Sequence, residues 1–493
     1  MRPIRGGLAA LLAVCTFDAC SSDSPKGNGY ADATRYDAGA ATDASGDGGG
    51  GSGGGGTGGG GGPTEKHLRM SMLKEVKPDD GSAGTLDLVI YDLDDKREAN
   101  LTASANGGVD CRSRQCLVNH QMTWIGWLEH GATGLDLYVA PIDTVHYTVD
   151  MAQKRKVDET VQSFEFTNDG TRDLIVYTQG EAVGAGASLQ VKVQPVAPFD
   201  QAACDAGGSA EDLSACPQLA GAINGNGSFR VTSFGALIIL LRTDLSSMTV
   251  SFFNVSNGAS QALTTFGSMN GTGSQFSGNL PVALSPDASY LAVATKDEFL
   301  WKLFNLAAKP NPGDPTKLEM YETEGNRGED CARPAPFNFN DIYFDPKFDP
   351  SGDHIFILAT GNCSLQSHAT NRNDFDILRI DKSMDPASVV SVTKIPRLNS
   401  GYNHQITSYD VSPDGEKIAF TAPRPNDNQS QSVWIVGADP NVADGPKYDC
   451  GPHSTPAVGE DGKSRCEFLF EDVDHARVIY RNVRFHEVEV SAN

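Results

Sequence analysis

Val411-Ser412-Pro413-Asp414-Gly415-Glu416-Lys417-Ile418-Ala419-Phe420-Thr421-Ala422 decides the fold, because nearly the same phrase stands at Leu284-Ser285-Pro286-Asp287-Ala288-Ser289-Tyr290-Leu291-Ala292-Val293-Ala294-Thr295. Each copy ends one apolar strand, turns, and enters another. Pro413 presets φ at the first corner, Asp414 can hydrogen-bond the backbone beyond it, and Gly415 takes a conformation that a β-carbon resists. The run Ile418-Ala419-Phe420 then reads as a short buried strand. A turn-and-strand unit that recurs along the chain is the signature of a repeat architecture.

Working outward, weaker copies stand at Phe348-Asp349-Pro350-Ser351-Gly352 before His354-Ile355-Phe356-Ile357, and at Phe166-Thr167-Asn168-Asp169-Gly170 before Leu174-Ile175-Val176-Tyr177. Val458-Gly459-Glu460-Asp461-Gly462 before Phe468-Leu469-Phe470 is another, and degenerate versions lie at Trp127 to Gly131 and at Ser233 to Ile239. The turn positions are therefore placed near residues 131, 170, 235, 288, 352, 415 and 462. Further strands follow most of them, as in Leu300 to Asn305 and Ser432 to Val436, and sustained helical periodicity is nearly missing. Three to four strands per repeated unit predict an all-β propeller of radial blades. Seven blades are expected, with eight if residues 84–103 count separately and six if the unit near 235 is misread.

The Ser-Pro-Asp-Gly turn before a short apolar strand resembles the WD40-like repeat of the TolB-type propellers. The resemblance implies a closed ring of four-stranded blades around a central channel. It also implies a protein-binding role in the bacterial periplasm, although the α/β domain of the TolB proteins has no counterpart here. Propellers close by pairing strands from the two chain ends, which removes free sheet edges. Leu86 to Leu93 and Ala99 to Thr102, lying ahead of the first turn, are the N-terminal candidates for that role.

The start of the chain reads as an export signal: the basic stretch Met1 to Arg5, then an apolar run from Gly6 to Phe17, too short to span a bilayer. Cys20, between Ala19 and Ser21, resembles the lipidation site of bacterial lipoproteins, with Cys15 the competing site. Residues 1–20 are thus expected to be a lipoprotein-type signal peptide, and 66–493 the propeller. Between them, residues 21–65 are a glycine-, aspartate- and serine-rich tether. Gly46 to Gly62, reading GDGGGGSGGGGTGGGGG, cannot bury enough surface to offset its ordering entropy. With a span of about 5–6 Å × √n, the tether reaches roughly 35–40 Å. The expected location is the bacterial outer membrane, through a lipid anchor, on its periplasmic or surface side.

Cysteine usage agrees with export. Cys111, Cys116, Cys204, Cys216, Cys331, Cys363, Cys450 and Cys466 fall in four close pairs, which predicts four local disulfides: 111–116, 204–216, 331–363 and 450–466. Zinc spacing is not present. The charge balance, 39 basic against 63 acidic side chains for a net −24 over 493 residues, argues against nucleic acid as a partner.

No nucleophile, phosphate-loop or dinucleotide motif occurs in a sensible context, and no cofactor is expected. One constellation stands out. Asn119-His120-Gln121-Met122-Thr123 and Asn403-His404-Gln405-Ile406-Thr407 share Asn-His-Gln-x-Thr, and both histidines lie 11 residues before a turn glycine, Gly131 and Gly415. The same offset reaches Glu159 before Gly170 and Asp341 before Gly352, with His453 near the last turn. This predicts a ring of His120, His404, Glu159, Asp341 and His453 at the channel mouth, able to hold a divalent metal or a cationic or sugar ligand. The competing interpretation is a repeat pattern whose histidine bonds the backbone of a neighbouring blade. Two functions follow: a monomeric, lipid-anchored module binding an envelope protein or polysaccharide, or a metal-assisted glycan lyase or hydrolase.

Overall fold

In the computed structural model the chain divides into residues 1–60 and 61–493. The structure describes residues 64–78, 84–105, 108–109, 111, 115–168, 172–180, 188–199, 202, 204, 216, 218–224, 228–231, 237–243, 247–254, 260–267, 282–286, 289–295, 300–305, 320–323, 342–361, 374–381, 390–391, 408–424, 427–438, 466–468 and 476–491. Among these, the strands form seven antiparallel sheets, taken here in chain order as sheets one to seven.

Sheet two runs outward through Cys116–Val118, Trp124–His130, Leu135–Asp143 and Thr148–Val149, with Arg155–Asp158 also pairing on Leu135–Asp143. Sheet three follows with Val161–Asn168, Asp173–Gln179, Ser188–Pro195 and Gln218–Asn224. Sheet four opens on Ser228–Val231, sheet five on Val282–Leu284, sheet six on Ile342–Phe348 and sheet seven on Tyr409–Val411. Each is a four-stranded meander in sequence order. Sheet one alone mixes the chain ends: Ala476–Ser491 pairs with Thr64–Pro78, followed by Thr85–Asp92 and Arg97–Asn100. The last strand of the chain is therefore the first strand of this sheet, and the N-terminal region supplies the other three. Consecutive meanders closed by the two ends are β-propeller topology.

Hydrophobic burial explains why these segments are strands. In the second strand of sheet two, Ile125 to Leu128 are buried without a break, and in sheet three Leu174 to Thr178 are too. A strand covered on both faces by neighbouring sheets has no solvated side to keep polar, so alternation gives way to continuous apolar runs. The cores accordingly lie between sheets. Leu73 and Val488 of sheet one pack with Trp127 and Ile125 of sheet two, while Tyr409, Ile418 and Phe420 of sheet seven pack with Phe356 and Leu358 of sheet six. Each such side chain contributes roughly 1.5–3 kcal/mol by leaving water. A one-turn helix, Leu101–Ser104, is capped by the Asn100 side chain, which accepts from the Ala103 amide at 3.0 Å.

Two of the expected turn positions need correction. Gly131 does not follow an inner strand: it begins the next hairpin of sheet two, between Trp124–His130 and Leu135–Asp143. The inner hairpin of that sheet is one step earlier, at residues 119–123. Gly462 lies outside the described residues, and Cys466–Phe468 after it is the outer strand of sheet seven, paired with Trp434–Val436. Sheet one has no such turn, because the chain ends meet there. The cysteines of two expected disulfides do pair, Cys111–Cys116 and Cys204–Cys216, with Cα separations of 5.3 and 5.6 Å. Residues 1–63, including Cys15 and Cys20, together with Cys331, Cys363, Cys450 and the Cys466 side chain, lie outside the described residues.

Candidate functional site

The inner hairpin turns explain the repeat. In sheet seven the Ser412 amide donates to the Lys417 carbonyl (2.9 Å), the Ser412 hydroxyl accepts from the Lys417 amide (2.8 Å), and the Gly415 amide donates to the Ser412 carbonyl (2.8 Å). Sheet two repeats every bond with other residues: the Asn119 amide to the Trp124 carbonyl (3.0 Å), the Trp124 amide to Asn119 Oδ1 (2.8 Å), and the Met122 amide to the Asn119 carbonyl (3.0 Å). Asp349 does the same in sheet six, and Ser285 makes the two flanking bonds in sheet five. The turn needs a side-chain acceptor first and a left-handed residue fourth. Gly352, Gly415 and Met122 fill the fourth place, with φ of 73°, 75° and 54°.

This register corrects the expected ring of site residues. His120 occupies the turn position of Pro413, so it is not the counterpart of His404. Counting back eight residues from Ser412 gives His404, and eight from Asn119 gives Cys111. Nor do His120 and Glu159 share a rim. The residue beside His120, Asn119, donates to Asp173 at the start of the second strand of sheet three (3.0 Å), whereas the Glu159 carbonyl accepts from Gln179 at that strand's other end (3.2 Å). Six strand residues at about 3.3 Å each put roughly 20 Å between those ends. Glu159 is an exposed side chain paired with Lys156. His404, Asp341 and His453 lie outside the described residues.

What converges instead is a charged network on the inner strands. Arg484 of the closing strand reaches past sheet two to sheet three, where its two Nη atoms donate to the two Glu165 oxygens at 2.5 and 2.9 Å. Such a bidentate pair is strong and directional. Burial works against the Arg484 cation, but Glu165, with Asp410 of sheet seven and Asp345 of sheet six nearby, holds it above the usual arginine range. Asp410 is itself engaged: the Phe485 amide donates to it at 2.7 Å and Lys347 Nζ at 2.8 Å. Tyr409 completes the seam between sheets six and seven, its hydroxyl shared between the carbonyls of Asp345 (2.5 Å) and Phe356 (3.0 Å).

Two residues along from Arg484, His486 is buried. One ring nitrogen, Nε2, is 2.8 Å from Ser71 Oγ of the first strand, and the other, Nδ1, is 3.2 Å from the His120 carbonyl. Burial, with the neighbouring His120 and Arg484, pushes its pKa down to about 3, so the ring is neutral near pH 7. A carbonyl only accepts, so Nδ1 carries the proton and Nε2 accepts from the Ser71 hydroxyl. The exposed His120 ring stands 6.5 Å from the His486 ring. Beside it burial raises the Asp173 carboxyl, an effect reduced by the Asn119 donor.

Two further features lie at turns. His67, Asp92 and Asp94 bring three potential metal-ligand atoms within 4.8 Å of one another. The Asp92 oxygens are already loaded, with Arg69 Nε at 2.7 Å, the Tyr147 hydroxyl at 3.3 Å and the amides of Asp94 and Asp95 at 3.0 Å each. A guanidinium on the same carboxylate opposes a second cation there. Between sheets six and seven a cavity of about 540 Å³ is lined by Asp349, His354, Arg379, Phe356 and Glu416. In it Arg379 donates to His354 Nε2 (2.6 Å), which fixes Nδ1 as the donor to Asp349 (3.0 Å).

The network residues were open to detection in the sequence through alternation. Phe164-Glu165-Phe166, Tyr409-Asp410-Val411 and Val483-Arg484-Phe485-His486 each insert a charged or titratable residue between core residues. On a strand, that places the odd residues together on the face opposite those core residues.

No family model matches the sequence, and no curated protein matches it. Similar solved structures include TolB from Acinetobacter baumannii, 11% identical over 82% of this chain and 81% of that one, with a TM-score of 0.34. Another is the periplasmic gluconolactonase of Pseudomonas aeruginosa, 11% identical over 85% and 99%, TM-score 0.44. A third is an oligogalacturonate lyase solved with manganese, 10% identical over 75% and 82%, TM-score 0.38. The fold assignment rests on the strand order above.

Proposed function

We propose that this chain is an exported lipoprotein, anchored through Cys20 to the outer membrane, whose seven sheets act as seven blades presenting a binding face to an envelope protein or polysaccharide. The observation that carries the reading is the fate of the inner-strand charges. Arg484 is spent on Glu165, Lys347 on Asp410, and His486 is neutral between Ser71 and the His120 carbonyl. Groups tied to one another across sheets make a preorganised surface, which favours recognition. General acid–base work instead needs a group within reach of a substrate proton with a pKa near the working pH.

The test is a pull-down from envelope fractions in mild detergent with the full chain as bait. Capture of one protein or polymer above a tether-only control, weakened by His120→Ala, is the expected result. A metal ion bound one-to-one in protein purified without chelator, together with glycan cleavage, would replace this reading with the lyase or hydrolase one. For the anchor, mass spectrometry should find a lipid-modified N-terminal Cys20, and a mature protein without lipid at Cys20 or Cys15 would refute it.

A further inference from the structure

The closing strand is where a ring of sheets is weakest, because only non-covalent pairing joins the chain ends. Ala476–Ser491 is held to Thr64–Pro78 along most of its length, with one irregularity between Ser71 and Leu73. Next to that irregularity sits His486, and its ring touches both neighbours of the seam: Ser71 within sheet one, and the His120 carbonyl in the inner turn of sheet two. Those two bonds require one particular neutral tautomer.

We propose that His486 is an acid-sensitive latch of ring closure: neutral, it accepts from Ser71 of the first strand and donates to the turn at His120, and protonation removes the acceptor that holds Ser71. A proton added at Nε2 points a donor at the Ser71 hydroxyl that had been donating to it. It also places a cation in a buried site.

The His120 carbonyl, accepting from Nδ1, favours a cation in that site, but burial and the neighbouring positive charges outweigh it. Arg484 lies on the same strand and His120 on the turn. Arg69, the cross-strand partner of His486, carries a guanidinium held by Asp92. Of the carboxylates, Asp410 on sheet seven does favour it, but accepts from Lys347 and the Phe485 amide. Glu165 is taken by Arg484, and Asp173 accepts from Asn119. The downward shift of His486 to about 3 expresses the same balance.

The sign follows by linkage. A histidine depressed in the folded state contributes stability that is present above its unfolded value of about 6.5 and is lost as pH falls toward the folded value. Between pH 7 and pH 5 the folded-to-unfolded ratio should fall roughly 30-fold from this residue, since each unit below 6.5 is about tenfold.

The experiment follows the full chain by thermal unfolding and by amide exchange at pH 7 and pH 5, for the wild type and for His486→Gln, which can donate and accept without titrating. In the wild type, Tm should drop at pH 5, and exchange should quicken in residues 476–491 before residues 409–424. His486→Gln should lose most of the Tm difference and show no selective quickening. A wild-type pH response retained in His486→Gln would overturn the proposal. If His486→Gln does not fold, the wild-type ring is followed by NMR: no titration of His486 above pH 4.5 upholds the latch, and a midpoint near 6.5 refutes it.

Discussion

The turn at Asn119 to Trp124 and the turn at Ser412 to Lys417 place the same three hydrogen bonds in the same places with no residue in common. One looks like the repeat and the other does not. The difference shows what the repeat encodes: an acceptor side chain at the first position and a left-handed backbone at the fourth, a specification that several residues can meet. Serine and glycine meet it cheaply in sheet seven. In sheet two, Asn119 replaces the serine and adds donors to Thr123 (2.8 Å) and Asp173 (3.0 Å), and Met122 accepts the positive φ while its side chain is fully buried.

Asn119→Leu is the largest way to break the comparison. Asn119 is completely buried and serves Trp124, Thr123 and Asp173. Leucine would leave the Trp124 amide without its side-chain acceptor and the Asp173 carboxylate without its donor, at about 3 kcal/mol in chemical unfolding. Because burial already raises the Asp173 carboxyl, the loss should shrink as pH falls and Asp173 becomes protonated, since it then has no charge to satisfy. A loss under about 1 kcal/mol would mean the turn is held by its backbone alone.

Gly415→Ala comes next. Its φ of 75° costs a β-carbon about 1–2 kcal/mol, and that carbon would meet Pro350 Cδ at 3.3 Å. Met122 already carries the backbone part of that cost, so Met122→Ala should show only the loss of a buried side chain. Ser412→Ala is smaller again. It removes one acceptor for the Lys417 amide and should cost about 1 kcal/mol, well short of Asn119→Leu. Equal losses at Ser412 and Asn119 would show that the cross-sheet bond to Asp173 contributes nothing.

The same comparison marks how far the sequence could be read. Val411 to Ala422 meets the turn specification with familiar residues and Leu284 to Thr295 repeats its sequence, so the all-β repeat was legible from them. The sheet two turn was not, since Asn-His-Gln-Met hides the geometry, and Gly131 then drew the register one hairpin too late. The expected ring of site residues fails with it, because Gly131 and Gly415 do not occupy equivalent turns. Closure by the two chain ends was legible, and Leu86 to Asp92 and Ala99 to Asn100 do lie in the closing sheet. The paired strand was not, since nothing local in Val483 to Val488 points to Thr64–Pro78 some 400 residues away. Local turn chemistry can be read from neighbours in sequence, whereas Arg484 with Glu165 and His486 with Ser71 exist only once the ring has closed.

The smallest effect separates two prolines that the sequence makes look alike. Two turn prolines lean on the turn glycine of the following sheet: Pro286 on Gly352, and Pro350 on Gly415, each 3.3 Å from where a β-carbon would stand. Among the described residues Pro413 has no such neighbour, because the next sheet is the one whose inner turn is replaced by the chain ends. Both prolines preset φ and so restrict the unfolded chain, worth about 0.4–1 kcal/mol in either turn. Only Pro350 adds contact with the following sheet. Pro350→Ala should therefore cost about 1 kcal/mol and Pro413→Ala about half of that, measured side by side in urea at constant m. Equal costs would mean that the proline–glycine contact is mere proximity, and that the repeat is conferred by each turn separately. A larger cost at Pro350 would make the motif a device for stacking one sheet on the next.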